Sequence, residues 1–193
     1  MKAKRLRIWH VAVLLLVVMA GFTAYSYNRL VRADEAVKLA WGELQNLYGR
    51  RADLVPTLVT IVQGAAAFEK SLLQELTEAR SKATALQLQQ PTAGNFAAQE
   101  QAQGNLAVSM SRVLAVVEAY PDVKATKSFL YLQTQLEGTE RRIKVARKDF
   151  NTAVQQYNTL VRSFPVSLTA RMFGFRLREG FTADTEAAPE VKF

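Results

Sequence analysis

From Val37 onward the apolar positions fall at helical spacing. Val37, Trp41, Leu44 and Tyr48 step by four, three and four, which places them on one face of an α-helix. Leu58, Ile61, Ala65, Phe68, Leu72, Leu76 and Ala79 make a second run, and Leu106, Met110, Val113, Val117 and Tyr120 a third. The fourth is the most regular: Phe129, Leu132, Leu136, Thr139, Ile143, Ala146, Phe150, Ala153, Tyr157, Leu160 and Phe164 alternate steps of three and four. A stripe that holds one phase for about five heptads has to be covered by partner helices. A helix of about 40 residues runs about 60 Å, and the other three runs supply helices to pack on it. The pattern predicts an all-α chain, built as an elongated antiparallel bundle of long helices with coiled-coil-like crossing angles near about 20°. After residue 28 no alternating β-branched segment is long enough for a sheet. Two polar breaks separate the runs: QLQQPTAGN, residues 87–95, reads as a loop, and YPDVK, residues 120–124, interrupts the chain before the fourth run.

The first 27 residues follow another rule. MKAKRLR, residues 1–7, is basic, and the next twenty, IWHVAVLLLVVMAGFTAYSY, contain no Asp, Glu, Lys or Arg. Twenty helical residues reach about 30 Å, the thickness of a hydrocarbon core. Trp9 near one end and Tyr25 and Tyr27 near the other fit interfacial aromatic belts. Residues 8–27 therefore read as a single-pass transmembrane signal-anchor. The larger basic cluster lies before them and only Arg29 and Arg32 just after, so the rest of the chain is expected outside the cytoplasm. A cleaved signal peptide is the competing reading: the strongest apolar run, Val11 to Phe22, is short, and Ala24–Ser26 offers small residues for a cut. Residues 28–172 then form the helical body. Residues 173–193 lose the periodicity and read as an irregular tail, which Phe173, Phe175, Phe181 and Phe193 can pin to the bundle.

Composition narrows the chemistry. The chain has no cysteine, which excludes disulfides, thiolate metal sites and cysteine nucleophiles. Its one histidine, His10, lies in the apolar segment and reads as a tolerated polar residue, so no histidine base, triad or metal site is expected in the exported part. The glycines are scattered singly, without a phosphate loop. The net charge of +8 includes four charges from Lys2, Lys4, Arg5 and Arg7. The remaining surplus is too small to point to nucleic acid. Glu137 and Glu140 share a helical face, but Arg141, Arg142, Lys144, Arg147 and Lys148 surround them, so surface ion pairs explain them better than paired catalytic acids. Arg141, Lys144 and Lys148 are candidate contacts to an anionic surface, against the reading of a solvated face. Phe150–Asn151 and Tyr157–Asn158 stand one heptad apart. Each aromatic is expected in the core, with its Asn fixing register or capping a neighbouring helix end.

RRADLVPTLV, residues 50–59, places charges and a proline inside a helical pattern. Trp41, Leu44, Tyr48, Arg51, Val55, Leu58 and Val62 keep phase through it, so Asp53 and Pro56 mark a candidate helix joint rather than a working site. Two forms fit. One is a continuous kinked helix. The other is a tight break, with Asp53 capping a new helix and Pro56 in its first turn. Retained phase favours the kink or a very short break, with one long bent helix from Asn28 to about Gln87. Arg50 and Arg51 are expected to pair with acids on neighbouring helices.

RRADLVPTLV, ELTEARSKA, VVEAYPDVKA, LEGTERRIKVARKDFNTAVQQYNTLVRSFP and the closing APEVKF, in this order, resemble the LemA family of bacterial envelope proteins from about Tyr27 to Phe193. The resemblance implies an N-terminal membrane anchor, an up-and-down four-helix bundle outside the cytoplasm, and a place in the inner membrane. It implies no catalytic, cofactor-binding or metal residues. The family pattern often carries Asn where this chain has Thr57 and Tyr where it has Phe150, so those polar groups are dispensable here. Its association with membrane metallopeptidases and with the organisation of intracellular membranes bears on partners alone. The expected function is a non-catalytic, membrane-anchored interaction or scaffold module, with other envelope proteins as its partners. Two alternatives are a lipid- or polymer-binding module using the basic face of the last long helix, and an envelope hydrolase built on carboxylates such as Glu118 and Glu140.

Overall fold

The computed structural model describes residues 2–64, 68–87 and 96–181, and among these every regular element is a helix. They are α1 (Lys2–Gln63), α2 (Lys70–Gln87), α3 (Phe96–Val117), α4 (Pro121–Lys124), α5 (Lys127–Arg162) and α6 (Val166–Met172). The all-α expectation holds. The short α4 is the turn made by YPDVK, with Pro121 in its first position, where a missing N–H leaves no bond unmade.

The expected helix from Asn28 to about Gln87 is corrected. It is two helices, and the second apolar run is divided between them: Leu58 and Ile61 close α1, while Leu72, Leu76 and Ala79 lie on α2. Gly64 follows α1 in a turn, and a Cβ there would stand 3.3 Å from the Ile61 carbonyl oxygen. The missing side chain leaves room for that close approach. Ala65 and residues 88–95 of the expected loop lie outside the described residues.

The chain divides into two compact units, Met1–Leu39 with Asn151–Gly180, and Ala40–Phe150 with Phe181–Phe193. In the second unit, α1, α2, α3 and the first part of α5 share one apolar core. Leu58, Leu76 and Leu106 are wholly buried in it, each contributing about 1.5–3 kcal/mol relative to exposure. All seven in-phase positions from Trp41 to Val62 are buried, Arg51 among them.

In the first unit, Leu30 packs with Val166 and Ala170, flanked by Leu160, Val161 and Phe175. Two expectations for α5 change here. Val154, not Ala153, is the buried neighbour of Tyr157, and Phe164 stands 82% exposed beyond the end of the helix. A straight helix drifts about 20° per heptad against a 3.5-residue stripe, so after three heptads the buried line has moved to the next residue.

Candidate functional site

Arg51 is the one charged side chain that is buried among the described residues, at 2% exposed. Helical phase places it in the apolar stripe of α1, so its guanidinium must find partners inside. One amino group donates to Glu140 Oε1 on α5 at 2.9 Å. The other donates to the Gln103 carbonyl at 2.8 Å and to Gln103 Oε1 at 2.6 Å, on α3. The guanidinium also lies 5.4 Å from the centre of the Tyr48 ring. Three helices are thus joined by one side chain. Arg50 departs from expectation: it donates to the Gln135 amide oxygen at 3.0 Å rather than to an acid.

Pro56 lies inside α1, which runs on to Gln63, and Asp53 is an exposed residue of the helix interior, far from any helix start. Lacking an N–H, Pro56 cannot bond the carbonyl four residues back. That carbonyl belongs to buried Ala52, and Arg80 Nε of α2 donates to it at 2.8 Å. The proline therefore opens a main-chain acceptor that the neighbouring helix fills. A double-mutant cycle checks this. Arg80→Ala should destabilise the native chain by about 1–2 kcal/mol. It should cost clearly less beside Pro56→Ala, which restores the helical donor, and equal costs in the two backgrounds would sink the coupling.

Above Arg51, Arg147 Nε donates to the Tyr48 hydroxyl at 2.9 Å and its guanidinium lies 4.9 Å from the Phe181 ring centre. Burial raises the Tyr48 phenol above its ordinary 10.0, with Arg147 acting in the opposite direction. A raised value means that the folded state holds the proton more tightly. The associated stability is complete below pH 10 and lost as pH climbs through the raised value. Tyr48→Phe should flatten the fall in melting temperature between pH 9 and 11.5; an unchanged slope would assign it elsewhere.

Trp41, Phe96, Phe150 and Phe181 close the same unit as an aromatic cluster, with ring centres 4.9 to 6.4 Å apart. Beside it, a cavity of about 10 Å³ is lined by Trp41, Gln45, Tyr48, Gln99 and Gln103. That is room for about one water, far below a substrate or cofactor. A wider recess of about 680 Å³ lies along Val59, Phe68, Leu73, Thr77 and Glu78, and the Thr77 hydroxyl is spent on its own helix, donating to the Leu73 carbonyl at 2.8 Å.

The charged candidates are dispersed. Arg141, Lys144 and Lys148 are exposed on α5, and Arg141 Nε leans back to the Glu137 carbonyl at 3.4 Å. Glu137 accepts from Gln133 at 3.1 Å, while Glu118 stands 4.0 Å from Lys124. Glu140 is engaged by Arg51 across the core, where surface pairing along its own helix was expected; its position beside Thr139 in the buried line brings it within reach.

The LemA family matches residues 40–193. The chain belongs to the LemA family. Relatives at 24% identity, over 89% of this chain and 70% of theirs, are Magnetosome protein MamQ 1 and MamQ 2 of Paramagnetospirillum magneticum and Magnetosome protein MamQ of Magnetospirillum gryphiswaldense. The motifs that carried the resemblance now have structural meaning in this LemA protein. RRADLVPTLV holds the buried arginine and the proline-freed carbonyl, and ELTEARSKA holds the Arg80 that fills it.

Sequence reasoning missed Gln103, Arg80 and the polar fastening of the tail. In the first unit, Asn158 Nδ2 donates to the Arg178 carbonyl at 2.8 Å and its Oδ1 accepts the Arg178 N–H at 2.9 Å. The Arg178 side chain reaches Asp34 at 2.7 Å, and the Tyr157 hydroxyl donates to the Arg176 carbonyl at 2.9 Å. The expected Asn role shifts from capping a helix to pairing with irregular backbone. Phe173 and Phe175 pack on Tyr27, with ring centres 4.8 and 5.8 Å away. Phe193 lies outside the described residues.

Proposed function

We propose that this LemA protein is a non-catalytic scaffold or interaction module of the bacterial envelope. It is anchored in the inner (cytoplasmic) membrane by residues 8–27, with its helical body outside the cytoplasm. The observation that carries the reading is the exposure of α1 from Trp9 to Met19. The helix is long and apolar enough to cross a membrane, yet Trp9, Leu14, Leu16 and Met19 are each more than 60% exposed. Core helices are covered by protein, whereas a bare apolar helix of this length needs lipid.

Residues 28–172 are read as the body, an up-and-down antiparallel four-helix bundle; the core shared by α1, α2, α3 and α5 supports this. A scaffold role is supported by how the chemistry is used: the buried arginine and its acid join helices. Other envelope proteins are the proposed partners. N-terminal mass mapping of native protein and protease digestion of spheroplasts test this. An intact N-terminus with the body cleaved from outside is expected. A start at Tyr27, or a body protected in spheroplasts, overturns the reading.

The exposure of Arg141 and Lys144 favours a second reading, contact of the α5 basic face with anionic lipid or polymer. Charge reversal of Arg141, Lys144 and Lys148 together should then abolish sedimentation with cell-wall polymer; unchanged sedimentation removes the reading.

A further inference from the structure

The first unit contains an apolar surface that its own packing does not explain. The short helix α6 buries Val166, Thr169 and Ala170, the two apolar ones against Leu30. Its opposite side is also apolar: Leu168 and Met172 are 60% and 66% exposed, and Phe164, four residues before Leu168, is 82% exposed. Phe173 and Leu177 continue the surface. Large apolar side chains left bare on the open side of a helix call for protein or lipid to cover them, and only the other side of α6 is covered by protein.

The position of this surface decides between the two. Phe173 lies beside Tyr27, at the end of the apolar segment of α1. Together with Ala20, Thr23, Ala24, Tyr27 and Asn28 it lines an open recess of about 430 Å³. The C-terminal end of α6 therefore sits alongside the last two turns of the membrane segment. Charge follows the same logic: from Asn151 to Arg178 the sequence has no Asp or Glu but four arginines. Arg178 is engaged by Asp34, whereas Arg162, Arg171 and Arg176 are exposed. Exposed apolar side chains beside arginines, with aromatics at the same level, are the composition of a segment lying in the headgroup boundary of an anionic bilayer.

We propose that α6 and the segment through Leu177 form a second membrane contact, lying in the anionic headgroup layer around the end of the α1 anchor. The proposal rests on the reading of residues 8–27 as membrane-spanning. It makes α6 an interfacial collar that fixes how the first unit stands on the bilayer. The recess beside Phe173 faces the acyl boundary, with room for part of a lipid chain.

The chain has no cysteine, so single labelling sites can be placed in the full-length protein. Leu15→Cys, Leu39→Cys, Leu168→Cys and Met172→Cys all change exposed positions and should leave folding intact, as helical circular dichroism would verify. Each variant is labelled with an environment-sensitive fluorophore and reconstituted into vesicles of phosphatidylcholine with phosphatidylglycerol. Quenching by aqueous iodide and by brominated lipid is then read. Leu39 lies twelve residues beyond Tyr27, about 18 Å up the helix, and is the aqueous reference. Labels at 168 and 172 should lose iodide quenching and gain brominated-lipid quenching, at shallower depth than the label at 15. Double reversal, Arg171→Glu with Arg176→Glu, should restore iodide quenching at 168. Labels at 168 and 172 as iodide-accessible as 39, with 15 still in lipid, overturn the collar and leave the anchor standing. A label at 15 open to iodide overturns the anchor itself. Lipid quenching unchanged by the double reversal overturns the anionic-headgroup part.

Discussion

Arg51→Ala is expected to cost about 3–4 kcal/mol, through a cavity and through two Gln103 oxygens left without their donor. In a chain of this size that lowers the melting temperature by about 10 °C. The partners are unequal. Arg51 is enclosed at 2% exposure, while the Glu140 side chain remains 47% exposed. When Arg51 is lost, Glu140 can return to water, so the uncompensated charge of a fully buried pair does not arise. The reverse deletion differs: Glu140→Ala strands a guanidinium with only neutral acceptors from Gln103. It should cost about 2–3 kcal/mol, and Glu140→Gln less, because the amide oxygen still accepts. Arg51→Met separates volume from polarity. Methionine fills most of the space but offers Gln103 nothing, so it should fall between wild type and alanine. Thermal unfolding of the full-length chain in detergent gives the order. If methionine matched wild type, Arg51 would be acting as bulk alone. If alanine were neutral, the three-helix junction would carry no stability.

Arg51 also shows how much the sequence discloses. Its place in the buried stripe was legible, because Trp41, Leu44, Tyr48, Val55 and Leu58 share its phase. Its acid was not, since Glu140 lies 89 residues away and sequence spacing contains no register between helices. The same limit hid Arg80. Any proline in a helix frees the carbonyl four residues back, but nothing local says which donor arrives. Helix existence was readable from periodicity, down to the long fourth run. The boundary at Gly64 was not, because Leu58, Ile61, Phe68 and Leu72 keep helical spacing across the turn. The tail was read from its aromatics and its lack of period. Its polar fastening was not: Asn158 pairs with the Arg178 backbone, which carries no sequence signal, and Asp34 pairs with the Arg178 side chain 144 residues away, a register that spacing does not contain. Phe164 was misplaced for a simple reason: spacing alone extends a stripe past the end of its helix.

The other large effect is expected at the aromatic cluster. Phe150 is 3% exposed and contacts Trp41, Phe96 and Phe181. Phe150→Ala should cost about 3–5 kcal/mol, the range for emptying an enclosed aromatic site. Phe181 is only half-buried and belongs to irregular chain, so Phe181→Ala should cost about 1–2 kcal/mol, from partial area loss and three ring contacts. Phe181→Leu restores apolar area without the edge-to-face geometry and should recover about half of that. Trp41 reports on both. With Trp9→Phe it becomes the sole indole, and its ring centre lies 5.2 Å from Phe150 and 6.4 Å from Phe181. Removing Phe181 opens the indole to water and should red-shift its emission while helix content is retained. Phe150→Ala should produce the same shift together with a lower melting temperature. Unchanged Trp41 emission in Phe181→Ala would mean that the tail does not close over the cluster. The modest sequence signal at Phe181, a lone aromatic after Gly180, would then carry no packing role.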